Sequence, residues 1–200
     1  MNMRDIEIRS ALIDQLRSEH PDPVDNRVWS ELSLCLGASR VDVCLINGAL
    51  TGFEIKSPRD NLTRLPSQIE HYNLVLDFAS IVSTEKHANK AMGAVPEWWG
   101  VMCATQDADS RVRLHWEREP QHNPKIDPLA VAQLLWRDEA FEELSERGLH
   151  KGLSKATRWV LWDRLVEMLP LDELQAAVRA RLKARPSRTT DEIHRPCGVK

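Results

Sequence analysis

Arg40-Val-Asp-Val-Cys-Leu-Ile-Asn-Gly-Ala-Leu-Thr-Gly-Phe-Glu-Ile-Lys56 places two apolar runs around an Asn47-Gly48 dipeptide, a β-hairpin signal. Asp is disfavoured inside strands, so Asp42 needs a reason to be there. Glu54 and Lys56 are two apart and share one face of a strand, while Ile55 points the other way into a core. Whether Asp42 joins them is a question of parity. A two-residue turn at Asn47-Gly48 pairs Ile46 with Ala49, sets Asp42 opposite Phe53 and puts Glu54 on the other face. A three-residue loop over 46–48, with Gly48 in the left-handed position, pairs Leu45 with Ala49. Asp42 then faces Gly52, and Glu54 is its diagonal neighbour on the same face. Gly52 leaves space beside the carboxylate. The odd-length loop is the expectation, because two carboxylates and an ammonium on one side of a hairpin make a divalent-metal site with a charged assistant.

Two carboxylates about 4 Å apart repel by roughly 4 kcal/mol at an effective dielectric near 20. Lys56 offsets part of that. A Mg²⁺ offsets more, and it is bound naturally by carboxylates, a carbonyl and waters. A plain surface Glu-Lys pair is worth only about 0.2–1 kcal/mol and gives no reason for Asp42.

The 200 residues suffice for one sizeable core with a small appendage. Apolar residues make up 42% and charged residues 28%, the balance of a globular protein in water. No apolar run approaches a membrane span, and Met-Asn-Met-Arg-Asp-Ile-Glu7 lacks the apolar run of a signal peptide. A cytoplasmic location and no membrane partner are expected. Cys35, Cys44, Cys103 and Cys197 form no Cys-x-x-Cys pair, so neither a zinc site nor an iron–sulfur cluster is suggested. His71, His87 and His115 read as surface or packing residues. The net charge of −3 does not announce a nucleic-acid binder, yet local patches decide such contacts.

Along the chain, residues 4–17 read as a helix capped by Asp5, with Ile8, Leu12 and Leu16 at helical spacing. Residues 27–35 read as a strand before a turn near Gly37, and the hairpin covers roughly 40–57. A helix follows to 77, starting at 61 or at 66, with Leu65, Ile69, Tyr72 and Leu76 as its packing face. Phe78 to Ser83 is a buried strand, 85–93 a helix, and 99–105 and 111–117 two more strands. Asp127-Pro128 starts a helix, with Asp as cap and Pro in the first turn. The order predicts a mixed α/β domain over 1–150. Residues 151–185 add a small helical extension, with helices near 154–169 and from Pro170 to Arg185. Residues 186–200 have little apolar material and are expected to be disordered.

Gln68 and Tyr72 are four apart on the helix after the hairpin, with Arg64 one turn earlier on the same stripe. With Asp42, Glu54-Ile55-Lys56 and Gln68-Ile-Glu-His-Tyr72 in this order, the sequence resembles the PD-(D/E)XK nuclease superfamily, its RecB-like branch in particular. Ser30-Glu-Leu-Ser-Leu-Cys-Leu-Gly-Ala-Ser-Arg-Val-Asp42 is similar to small bacterial members linked to DNA repair. Arg64-Leu-Pro-Ser-Gln68 and Pro96-Glu-Trp-Trp99 resemble an uncharacterised bacterial family of that superfamily. The resemblance covers about residues 4–105, and more weakly the tail. It departs at Val41, where the superfamily's name has proline, and in lacking the iron–sulfur cysteines of some RecB-like nucleases.

The resemblance implies a restriction-endonuclease-like fold, a mixed β-sheet flanked by helices. It also implies a Mg²⁺- or Mn²⁺-dependent deoxyribonuclease acting in DNA repair, recombination or defence. Asp42 and Glu54 would be metal ligands with the Ile55 carbonyl as a third. Lys56 would orient or activate the attacking water. Gln68 would hold a phosphate or a metal-bound water. Arg64 is a candidate phosphate contact, and Tyr72 either packs or reaches DNA. A further carboxylate usually comes from an earlier element. Glu31 is favoured over Glu7, since an even-length loop after its strand puts it on the face of Asp42. Lys155 and Arg158, with Lys151, lie near the start of an extension helix, and Arg179, Arg181, Lys183, Arg185 and Arg188 make the chain's end basic. These residues either track a nucleic-acid backbone or suit helix C-termini. The Trp98-Trp99 pair either packs or stacks on bases. DNA is the expected partner, with a homodimer or a partner protein also open. The alternative is a nuclease-fold DNA-binding or scaffold protein that does not cleave, or a subunit of a larger nuclease complex.

Overall fold

The computed structural model describes residues 3–57, 60 and 62–186. Apart from Pro186, the 186–200 tail expected to be disordered lies outside them. Six strands form one sheet in the order of the sequence: β1 (Arg27–Leu34), β2 (Ser39–Ile46), β3 (Leu50–Lys56), β4 (Phe78–Thr84), β5 (Gly100–Gln106) and β6 (Val112–Arg118). The first three are antiparallel neighbours, β3–β4 and β4–β5 are parallel, and β5–β6 is antiparallel again. Parallel neighbours need crossover helices. These are α2 (Leu65–Val75) and α3 (Glu85–Ala94). The fold is α/β, a mixed sheet with helices on both faces.

Residues two apart on a strand share a face, and the sequence fills each face for a different neighbour. Val43, Leu45, Phe53, Ile55, Val82, Met102 and Ala104 meet Ile8, Leu12 and Leu16 of α1 (Asp5–Glu19). On the other side Cys44, Ile46, Leu50, Ile81 and Val101 meet Tyr72, Val75 and Leu76 at the end of α2. The same cluster takes in α4 (Pro128–Ala132), α5 (Arg137–Glu146), α6 (Arg158–Met168) and α7 (Leu171–Ala184). Leu161, Leu165, Leu174, Val178 and Leu182 are fully buried in it. The extension expected at 151–185 therefore shares its core with the sheet.

Polar contacts reinforce that union. Asp77 is buried, accepts from Leu50 N at 2.6 Å and from Gln175 Nε2 at 2.6 Å, and has Arg179 at 3.5 Å. Arg181 fans out to Glu142, Glu143 and Glu146 of α5, and Arg185 pairs with Glu139. Three of the basic residues considered as a nucleic-acid track are thus held by carboxylates of their own chain. Asp127 caps α4 by accepting from Ala130 N at 2.7 Å, as its sequence predicts. The helix it starts stops at Ala132, and a second begins at Arg137.

Candidate functional site

The hairpin loop is three residues long, Asn47 to Ala49, because Ile46 pairs with Leu50. Its odd length preserves the expected parity. It sits one residue later than expected, so Cys44, not Asp42, faces Gly52. Gly52 makes room for α2 instead of for a carboxylate: a Cβ there would meet Leu76 Cδ1 at 2.4 Å. Extended by one step, this register sets Asp42 directly opposite Glu54. The ladder stops short of that step, at Val43–Phe53. Asp42 Oδ2 instead accepts from the Ile55 N–H at 2.8 Å, taking the part of a backbone carbonyl.

Beside this end of the ladder lies a cavity of about 460 Å³. Asp42, Glu54, Ile55, Lys56, Arg64 and Gln68 all line it. Glu54 is 2% exposed and Lys56 5%. Lys56 Nζ donates to Glu54 Oε1 at 2.7 Å and to Gln68 Oε1 at 3.2 Å, and Gln68 Nε2 donates to Glu54 Oε1 at 2.7 Å. Tyr72 Oη lies 2.5 Å from Glu54 Oε2 and 2.9 Å from the Arg40 carbonyl. Burial pushes the Glu54 carboxyl above its ordinary value, and nearby Asp42 adds to this, against the opposing pull of Lys56 and Tyr72. Burial and the Glu54 carboxylate likewise push the Tyr72 hydroxyl far up, so it stays a donor.

Two residues of α1 join the site without having been singled out for it in the sequence: Arg9, and Asp5, which was expected to cap the helix but is its first residue, with Arg4 at the N-cap. Arg9 donates to the Asp42 carbonyl at 2.8 Å and to Asp42 Oδ1 at 2.9 Å. Burial opposes the Arg9 charge, but Asp42 and Asp5 outweigh it and hold the group more firmly protonated. Asp5 lines the cavity, and burial with Asp42 beside it raises its carboxyl against the pull of Arg9. The signal was present as an Asp5/Arg9 pair at helical i,i+4 spacing, but α1 has several such polar pairs.

Other candidates lie elsewhere. The loop after β1 has four residues, 35–38, so parity does set Glu31 across from Asp42. Yet Glu31 has φ 59°, leaves the ladder between Ser30 and Leu32, and does not line this cavity, although it pairs at 3.3 Å with Arg40, which does. Glu7 accepts from the Arg4 N–H at 2.7 Å at the exposed start of α1, the helix-start role that competed with catalysis. Tyr72 is fully buried and stacked on Trp99 at 5.6 Å, so it cannot touch DNA. Trp99 is core as well. Lys155 and Arg158 lie away from the cavity, at the start of α6.

Mg²⁺ or Mn²⁺ fits the donor set. Two carboxylates line one cavity, burial with Asp42 beside it raises the Glu54 carboxyl, and all the donors are hard oxygens. A second grouping was not anticipated: Cys103, His115 and Glu117 on β5 and β6 bring their donor atoms within 4.8 Å of one another. His115 Nε2 and Glu117 Oε1 are 3.1 Å apart. Among the described residues no helix is long and apolar enough to cross a membrane.

Comparison with known proteins gives three findings. The "SPO1766 protein of unknown function" from Silicibacter pomeroyi superposes with a TM-score of 0.47 at 15% identity, over 78% of this chain and 100% of that one. "Protein cII" of Enterobacteria phage P4 is 24% identical over 191 residues, 96% of this chain and 71% of the phage protein. Neither name states an activity. Residues 1–197 match the family described as bacteriophage P4 protein cII, and the chain belongs to that family.

Proposed function

We propose that this protein is a Mg²⁺- or Mn²⁺-dependent nuclease of the restriction-endonuclease-like kind that hydrolyses DNA phosphodiester bonds, in repair, recombination or defence. One observation carries the reading: at the end of the β2–β3 ladder Asp42, Glu54 and Lys56 line one cavity, with Lys56 paired to Glu54. Bound there by Asp42, Glu54 and the Ile55 carbonyl, the cation would polarise the phosphate and acidify an attacking water.

The chain's own groups supply the rest. Gln68 and Glu54 fix the Lys56 ammonium at the wall of the cavity, where it would offset negative charge on a phosphate oxygen or the attacking water. Tyr72 and Gln68 hold Glu54 in one rotamer, so its carboxylate is preorganised. Arg9 does the same for Asp42. Arg64 is exposed at the cavity rim and is placed to meet a neighbouring phosphate.

A second reading has its own support. Each oxygen of Asp42 and Glu54 already has a protein donor: Arg9, the Ile55 N–H, Lys56, Gln68 or Tyr72. A site so satisfied suits a DNA-binding or scaffold protein that does not cleave. The test is cleavage of supercoiled plasmid, linear duplex and single-stranded DNA with Mg²⁺ or Mn²⁺, by wild type and Asp42→Ala in parallel. Mn²⁺ binding is followed by calorimetry. Metal-dependent cutting lost in Asp42→Ala supports the nuclease. No cutting and no metal binding by wild type removes it and favours the second reading.

A further inference from the structure

A second cavity of about 540 Å³ adjoins the first, and Ser33 and Gly37 line both. The wall between them is a strained turn. Cys35 (φ 48°), Leu36 (φ 58°) and Gly37 (φ 91°) are successive left-handed residues, and only glycine takes that conformation freely. The turn leaves Leu36 half exposed on the groove side.

The groove's chemistry is aromatic and cationic. Trp29, Trp136 and Trp162 line it, with Arg137, Arg158 and Arg185 against a single carboxylate, Glu31. Guanidiniums lie over the rings: Arg185 at 4.2 Å from Trp136, and Arg158 at 5.4 Å from Trp162 and 5.5 Å from neighbouring Trp159. Arg137 and Arg185 also serve Asp138 and Glu139. Among the described residues Arg158 and nearby Lys155 have no ion pair. Trp136 is 59% exposed and Trp159 46%. An indole left in water at Trp136, with the Arg158 guanidinium lining the same groove outside any ion pair, on a chain of net charge −3, suits a ligand with π-faces and negative charge.

We infer that this groove binds the unpaired bases and phosphates of a single-stranded nucleic-acid segment, with Trp136 as stacking platform and Arg158 as phosphate contact, and leads the strand across the 35–37 turn toward Asp42 and Glu54. Only the last clause rests on the nuclease reading. A duplex hides its base faces and gains nothing from Trp136, so selectivity for a strand is the signature.

The experiment uses the full chain without metal, so that binding is separated from cutting. Fluorescein-labelled oligo(dT) and oligo(U) of about 16 nucleotides, and a blunt DNA duplex of equal length, are titrated by anisotropy. The proteins are wild type, Trp136→Ala, Trp136→Phe and Arg158→Glu, each first checked for an unchanged unfolding transition. Wild type is expected to bind a strand in preference to duplex. Trp136→Ala and Arg158→Glu should each weaken this about tenfold or more, and Trp136→Phe should keep most of it. If Trp136→Ala does not fold, Arg158→Glu and the phenylalanine variant carry the test. The oligo(dT) and oligo(U) arms decide between DNA and RNA. No binding by wild type, equal binding by the variants, or duplex binding as tight as strand binding overturns the proposal. A wild type that binds strand but cuts nothing with Mg²⁺ or Mn²⁺ removes the nuclease reading and leaves the groove standing.

Discussion

Glu54 is a carboxylate kept almost out of water, and its stability depends on the donors around it. Tyr72 Oη gives its one proton within reach of both Glu54 Oε2 and the Arg40 carbonyl, in a fully buried position. Tyr72→Phe preserves the stacking on Trp99 but leaves a charged oxygen unsatisfied. It should lower stability by about 1–3 kcal/mol, read as a shift of the urea midpoint at unchanged slope. A shift below a few tenths would mean that water takes the proton donor's place and that Glu54 is not held as described. The carboxylates and lysine of this site were legible because each sits within one hairpin, where parity decides who shares a face. Tyr72 was legible as an i+4 partner of Gln68, but not whether its hydroxyl pointed in or out. Asp5 and Arg9 were hidden for another reason. Arg9 pairs with Asp42, 33 residues away, and Asp5 reaches the site through Arg9; no local period tells which polar residue of a helix reaches a distant strand. Glu31 shows the limit of parity, which sets it across from Asp42 while one left-handed residue takes it out of the ladder.

Elements meet here through close approaches and a few charged clamps, and each type has a measurable consequence. Gly52 on β3 lies against Leu76, just past α2, so Gly52→Ala should cost about 1–3 kcal/mol by overpacking. Combining it with Leu76→Ala should cost less than the sum of the two single changes, since the second makes room for the first. Strict additivity in the double-mutant cycle would mean the two residues do not touch. Glu139 on α5 is a clamp of the other type. Burial opposes its charge, but hydrogen bonds from Arg185 and from the Trp136 N–H outweigh it and hold the carboxyl below its ordinary 4.5. A depressed folded value means the unfolded chain takes up the proton first. The clamp's contribution is full above about pH 4.5 and fades as pH falls through the folded value. Glu139→Gln should therefore narrow the gap between pH 7 and pH 3 in thermal denaturation. An unchanged acid limb would remove Glu139 from the acid-sensitive set. The strands and α1 to α3 stand close to where periodicity places them, because each has one buried face. The break between α4 and α5 was not legible. Leu134 and Leu135 continue the apolar pattern, and the helix stops for tertiary reasons, with Trp162 Nε1 donating to the Leu135 carbonyl at 3.1 Å.

At the scale of the whole molecule, the sequence pattern separates 1–150 from a helical remainder, whereas the packing joins them. Composition cannot see this, because the helices after 151 carry ordinary amphipathic stripes that would suit an appendage equally well. What decides it is where the stripes go. Leu161, Trp162 and Leu165 of α6, and Leu174, Val178 and Leu182 of α7, lie in the cluster that covers the β2–β4 face opposite α1. Gln175 donates to one oxygen of Asp77, and the other takes the Leu50 N–H at the start of β3 and has Arg179 at 3.5 Å. Removing residues 151–200 would bare that face and unpair a buried carboxylate next to the hairpin that holds Asp42 and Glu54. Burying one large apolar side chain is worth about 1.5–3 kcal/mol, so losing six removes as much as the whole stability of an ordinary domain, about 5–15 kcal/mol. A chain ending at residue 150 should therefore lack a cooperative unfolding transition. The full chain should unfold in one step, with calorimetric and van't Hoff enthalpies equal. Two separate transitions, or a folded 1–150 fragment, would mean that the helices are an independent appendage and that the site is built without them.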